Sequence, residues 1–159
     1  MKITVRLENG LLPDKYGKYS SVKIGGSPSV SFPIKIDGVP GNAKSLALIF
    51  LDHDSIPVCG FAWIHWLAVN IPADIKEIPE NASQDCAFGM IQGKSSSSGV
   101  LKNRYGGPMP PDKTHTYTLT LFALDTDLKL SEGFSMQELN AAMENHILDK
   151  AEVQLPSRS

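Results

Sequence analysis

The nine residues TYTLTLFAL, positions 116–124, decide how this chain is read. Tyr117, Leu119, Leu121 and Ala123 alternate with Thr116, Thr118, Thr120 and Phe122. Successive side chains of an extended strand leave opposite faces, so the pattern lays one apolar row against a row dominated by threonine. Threonine and the aromatic residues also suit a pleated, half-buried surface. The stretch predicts a half-buried strand, the signature of an antiparallel sheet with one face on the core.

Working outward, the next segments read the same way. Ser45–Leu51 is a continuous apolar run and predicts a central strand. Trp63–Ile71 predicts another, ended by Pro72. Val30, Phe32, Ile34 and Ile36 fall on alternate positions, with Pro33 marking an edge strand, and residues 2–7 read as a short strand. Gly38–Asn42 is a loop, a short turn or helix is expected within 73–85, and 86–113 is loop-rich, with the four serines Ser95–Ser98 read as a mobile segment. Helical signal is confined to the end. Ser135 and Glu138 fit a capping box, and Leu139, Ala142, Met143, His146 and Ile147 then share one helical face. The expectation is one domain over residues 1–159, mainly antiparallel β with a C-terminal helix.

Composition narrows the function. At 159 residues the chain buries roughly 68–70% of its unfolded surface and needs neither disulfide nor metal to fold. Fifteen Lys and Arg against 17 Asp and Glu give a net charge of −2, and the basic residues are scattered. That removes the electrostatic case for nucleic acid or an anionic membrane. No apolar stretch has the length of a membrane span or a signal peptide, so a cytoplasmic location is expected. Cys59 and Cys86 read as free thiols, and no C-x-x-C supports zinc or redox chemistry.

The polar residues point to a pocket. Gly89–Ser95 looks like a phosphate-binding loop but is one residue short between its glycines, and no helix pattern follows it. No G-x-S-x-G elbow is present. Asp52 and Asp54 end the central apolar strand, where buried carboxylates need partners. His65 lies between Trp63 and Trp66 and reads either as a hydrogen-bonded core residue or as one wall of a pocket; strand alternation sends Trp63 and His65 to one face and Trp66 to the other. His146 reads as a core or boundary residue. Asp52 and Asp54 near His65 and His115 would make a cluster fit for acid–base work, metal binding or polar ligand binding, but no spacing supports a metal and no cofactor is implied. Tyr105–Pro111 packs glycines and prolines into a rigid, shaped rim.

Asp52-His53-Asp54 with Pro57, His65-Trp66-Leu67-Ala68-Val69-Asn70-Ile71-Pro72, Tyr105-Gly106-Gly107-Pro108-Met109-Pro110-Pro111 and His115-Thr116-Tyr117 together resemble the phosphatidylethanolamine-binding protein family. That family includes the Raf kinase inhibitor proteins, and the likeness is to its bacterial branch. It runs from about residue 28 to the C-terminal helix. The family's D-P-D-A-P motif stands here as Asp52-His53-Asp54-Ser55-Ile56-Pro57, one residue longer, and its H-R-Y as His115-Thr116-Tyr117. The chain also ends soon after its helix, so the C-terminal extension bordering the pocket of eukaryotic members is expected to be missing or reduced.

The resemblance implies Greek-key-like antiparallel sheets with a few peripheral helices, around a small cavity for a phosphate-like anion or carboxylate. Carried over, the cavity would be lined by Asp52, Trp63, His65, Gly107, Pro108, His115 and Tyr117, with Asp54 and Tyr105 beside it. It further implies a cis bond at Ile56–Pro57 and a homodimer, and it suggests regulation of a kinase or protease. In this picture Gly106 and Gly107 turn backbone N–H groups toward the ligand. Because no nucleophile is evident, ligand binding ranks ahead of the alternative, a hydrolase using the Asp/His cluster.

Overall fold

A computed structural model describes residues 1–159. Its strands are β1 (Lys2–Thr4), β2 (Lys23–Ile24), β3 (Ser27–Pro28), β4 (Ile34–Asp37), β5 (Ser45–Asp52), β6 (Trp63–Pro72), β7 (Glu77–Ile78), β8 (Ile91–Gln92), β9 (His115–Leu124) and β10 (Ile147–Ser157). There are two α-helices, α1 (Ile56–Cys59) and α2 (Met136–Met143). All pairing is antiparallel, in a five-stranded sheet ordered β10-β9-β5-β6-β8, a three-stranded sheet ordered β1-β4-β7, and the β2-β3 ribbon. β9 crosses to the far side of β5 from β6, which makes the arrangement Greek-key-like rather than a meander.

Position in the sheet explains the two sequence patterns. β5 is the middle strand, and both of its faces are covered. Leu46, Leu48 and Phe50 join Ile3, Ile34, Ile36 and Ile78 of the small sheet in one core, with Trp66, Leu119 and Leu121. Ala47 and Ile49 face the other way, into a second cluster with Leu67, Val69, Leu139 and Met143 under α2. A strand buried on both sides must be apolar at every position. β9 lies one place out, with Thr116 exposed and Thr118, Thr120 and Phe122 partly buried, so it keeps its alternation.

α2 starts where the capping box places it: Ser135 Oγ accepts from Glu138 N at 3.2 Å, and Glu138 Oε2 accepts from Ser135 N at 2.7 Å. It ends at Met143, so His146 and Ile147 do not continue its face. Asn145 turns the chain at φ 66°, and Ile147 opens β10. His146 is part-exposed, its Nδ1 2.8 Å from Asp125 Oδ1. β10 is absent from the sequence expectations, although Ala151, Val153 and Leu155 alternate with Glu152 and Gln154; the helical reading extended to His146 and Ile147 and left the segment after it unassigned. The first strand is shorter than expected and the strand around residue 34 begins after Pro33, although Phe32 stays fully buried.

The serine run is pinned rather than mobile. Ser96 accepts from Ile64 N through its hydroxyl at 2.9 Å and donates its own N–H to Ile64 O at 2.8 Å. Ser95 Oγ, buried, donates to Leu101 O at 2.9 Å. The run thus satisfies the edge of β6 beyond the end of β8.

Candidate functional site

A cavity of about 260 Å³ opens where β5 ends, β6 begins and β9 begins. Antiparallel pairing gathers these ends: Asp52 lies opposite Trp63 on one side and Tyr117 on the other. Asp52, Trp63, His65, Gly107, His115 and Tyr117 line the cavity. Asp54, Tyr105 and Pro108 do not. Asp54 points away and accepts from Thr116 N at 2.9 Å, because the residues after Asp52 turn into α1. Tyr105 lies beneath the site, fully buried, its hydroxyl donating to Tyr16 O at 2.7 Å. Pro108 is buried behind the lining.

The turn after β5 carries the extra motif residue. Asp52 Oδ1 accepts from Ser55 N at 3.2 Å, and Ser55 Oγ lies 2.8 Å from both Asp52 O and Phe61 O while accepting from Trp63 N at 2.9 Å. Ser55 precedes the single turn of α1, its hydroxyl committed to Asp52, Phe61 and Trp63 rather than to the helix, and Gly60 closes the turn at φ 89°. Every peptide bond is trans, so Ile56–Pro57 is not the cis bond the resemblance implied. The reversal of direction is made by a helical turn, which the extra residue leaves room for and which accepts proline in its first turn.

His65 and Trp66 do not leave opposite faces. The register slips between Phe50 and Leu51, which pair with Trp66 and Ile64 respectively, so His65 is the extra residue of a bulge. Both rings therefore turn to the same layer, His65 packing 5.5 Å from the Phe50 ring and 5.1 Å from the Tyr117 ring, and Trp66 5.9 Å from the Tyr105 ring. The bulge aims His65 into the cavity while the strand continues to bury Trp66.

The two cavity histidines are in opposite electrical states. His115 has both ring nitrogens on carboxylates: Nδ1 lies 2.7 Å from Asp52 Oδ2, and Nε2 lies 2.9 Å from Asp112 Oδ1. A ring that donates twice is an imidazolium. Burial pulls its pKa down, but the bonds to Asp52 and Asp112 outweigh burial and hold it above the ordinary value. The same bond holds the Asp112 carboxyl below its usual range. The two acids sit on opposite nitrogens, so they bracket the ring and do not form a chelating pair. His65 donates Nδ1–H to Gly106 O at 2.5 Å. Burial drives its pKa down to about 4, against smaller upward pulls from that carbonyl and from Asp52, so it is neutral. Tyr117 is kept a protonated phenol, its pKa raised by burial and then by Asp52.

The glycine pair serves the protein's own packing. Gly106 N donates to His65 O at 3.1 Å and Gly107 N to Pro28 O at 2.8 Å, so neither N–H is turned to a ligand as expected. A β-carbon at Gly107 would overlap the Tyr16 carbonyl and the Pro28 ring, and one at Gly106 would overlap the Ser97 hydroxyl. Sequence reasoning missed Asp112, and missed Ser55, Cys59 and Ser97 as lining residues. Asp112 sits three residues before His115, a spacing that could have marked it; nothing local marked Ser97, which the bonds between Ser96 and Ile64 of β6 bring to the cavity from 32 residues away in sequence.

Comparison with known proteins places this geometry. The chain matches the phosphatidylethanolamine-binding protein family over residues 2–157. It is 50% identical to the Bacillus subtilis protein YxkA over 160 residues, covering 94% of this chain and 95% of that one. A UPF0098 protein of Methanothermobacter thermautotrophicus is 42% identical, with 79% of this chain and 80% of that one covered. The crystal structure of CT736 from Chlamydia trachomatis, described as a phosphatidylethanolamine-binding protein homologue, superposes with a TM-score of 0.83 at 29% identity, covering 99% of this chain and 97% of that one.

Proposed function

We propose, from the premise that the chain belongs to the phosphatidylethanolamine-binding protein family, that it is a small-ligand-binding protein whose cavity takes a phosphate-like anion in exchange for its own Asp112 carboxylate. One observation carries this reading. His115 is buried and charged, and the group on its outward nitrogen is a carboxylate whose side chain is 50% exposed. A half-exposed side chain can swing into water, which leaves a charged N–H pointing at an incoming oxygen anion. Tyr117 adds a second donor on the same wall, and Trp63 supplies an apolar side. Any effect on a partner kinase or protease would act through the mouth, where Ile56, Val58, Phe61 and Met109 are all about half exposed.

The hydrolase reading of the same cluster has less support. His115 carries no free lone pair, and His65 is too weakly basic to be a strong proton acceptor. NMR titration with inorganic phosphate tests the binding reading. The expected result is a joint shift of His115, Tyr117 and Trp63 resonances with release of the Asp112 carboxyl. Response confined to scattered surface lysines would overturn it, and turnover of a panel of esters and phosphoesters would favour the hydrolase instead.

A further inference from the structure

We infer that the cavity selects anions that carry a proton of their own, hydrogen phosphate or the monoanion of a phosphomonoester, and discriminates against sulfate, because His65 turns a bare ring nitrogen toward the bound group. The inference deepens the anion-binding reading and rests on it. The geometry begins at Gly106. Its carbonyl can only accept, so the Nδ1 of His65, 2.5 Å away, holds the hydrogen. Nε2 is then a lone pair. It has no protein partner, and no buried polar side-chain atom is left sealed without one, so Nε2 is open to the cavity.

Burial keeps this nitrogen bare. The titratable groups that line the cavity with it are Asp52 of β5, Cys59 at the end of α1, and His115 and Tyr117 of β9, and of these Asp52 alone pulls toward protonation. Asp52 is engaged with His115 and with Ser55 N, and the His115 cation repels a second positive charge beside it. With its pKa near 4, His65 stays neutral throughout the range in which phosphate and its monoesters titrate.

The cavity therefore presents donors from β9 and one acceptor from the bulge of β6. An anion without a proton satisfies His115 and Tyr117 but sets an oxygen lone pair against the Nε2 lone pair. Hydrogen phosphate meets the same donors and rotates its O–H toward Nε2. Leaving a buried acceptor unpaired lowers affinity by roughly tenfold or more.

Three probes separate the possibilities by calorimetric titration of the wild-type protein. At about pH 8 inorganic phosphate keeps a proton, methyl phosphate has lost its last one, and sulfate has none; at about pH 5 methyl phosphate has regained its proton. Sulfate serves as the internal reference for changes in the charge of His115. The expected result is phosphate at least roughly tenfold tighter than both others at the higher pH, with methyl phosphate joining phosphate, relative to sulfate, at the lower. His65→Asn keeps a donor for Gly106 O but withdraws Nε2, and it should bring the three probes together. Equal affinities for phosphate and sulfate in the wild type at both pH values would overturn the selectivity while leaving anion binding intact. Absence of binding by all three would overturn both.

Discussion

Replacing His65 with Asn should flatten the acid limb of the protein's stability curve. An imidazole in the unfolded chain titrates near 6.5, and burial in the fold lowers His65 to about 4. Between these values the unfolded chain binds the extra proton, so stability falls as pH drops from about 6.5 to about 4. The gap of about 2.5 units, at about 1.4 kcal/mol per unit, is worth roughly 3 kcal/mol. His115 runs in the other direction and in another window. Its folded pKa is raised, so its stabilisation is fully present below about 6.5 and is lost as pH rises through the folded value. Carboxyls with depressed values, such as Glu80 and Asp14, lose their contribution only as pH falls below about 4.5. Urea unfolding of both proteins from pH 7 to pH 4 isolates the His65 contribution as the change in their difference. The wild type should lose roughly 3 kcal/mol more than His65→Asn over that range. Parallel curves would refute the assignment of His65 as a buried neutral histidine.

Asp112→Asn removes the carboxylate that competes for His115, so phosphate affinity at pH 6 should rise, by no more than about fivefold for a half-exposed pair; the His115 titration followed by NMR should move down at the same time. Unchanged affinity and an unmoved titration would show that Asp112 does not occupy the outward nitrogen. Ser55→Ala removes the acceptor for Trp63 N and the hydroxyl shared by two carbonyls, and should cost roughly 1–3 kcal/mol in denaturant unfolding. Gly107→Ala forces a methyl against the Tyr16 carbonyl and should cost roughly 1–3 kcal/mol, while a neutral result would mean the Tyr16–Pro28 segment yields freely.

For β5, β6 and β9, though not for β10, strand identity was legible in the amino-acid sequence because burial writes its period directly into side-chain type. The alternation at 117–123 and the unbroken run at 46–50 report one half-covered and one fully covered strand, and the Ser135–Glu138 box reports a local reciprocal hydrogen bond. The order of motifs was equally legible, and with it the family and six of the cavity-lining residues. Tertiary structure alone decided the rest, because each of these features depends on a partner distant in sequence. The bulge that turns His65 and Trp66 to one layer is a mismatch between β5 and β6, and no property of β6 by itself reveals it. The glycine pair reads locally as a ligand-facing nest, yet its N–H groups are claimed by His65 O and Pro28 O from elsewhere in the fold. The charges of the two histidines follow the same rule. One residue type becomes a cation beside Asp52 and Asp112 and a neutral acceptor beside Gly106 O, since the proton goes where burial and neighbouring charge place it.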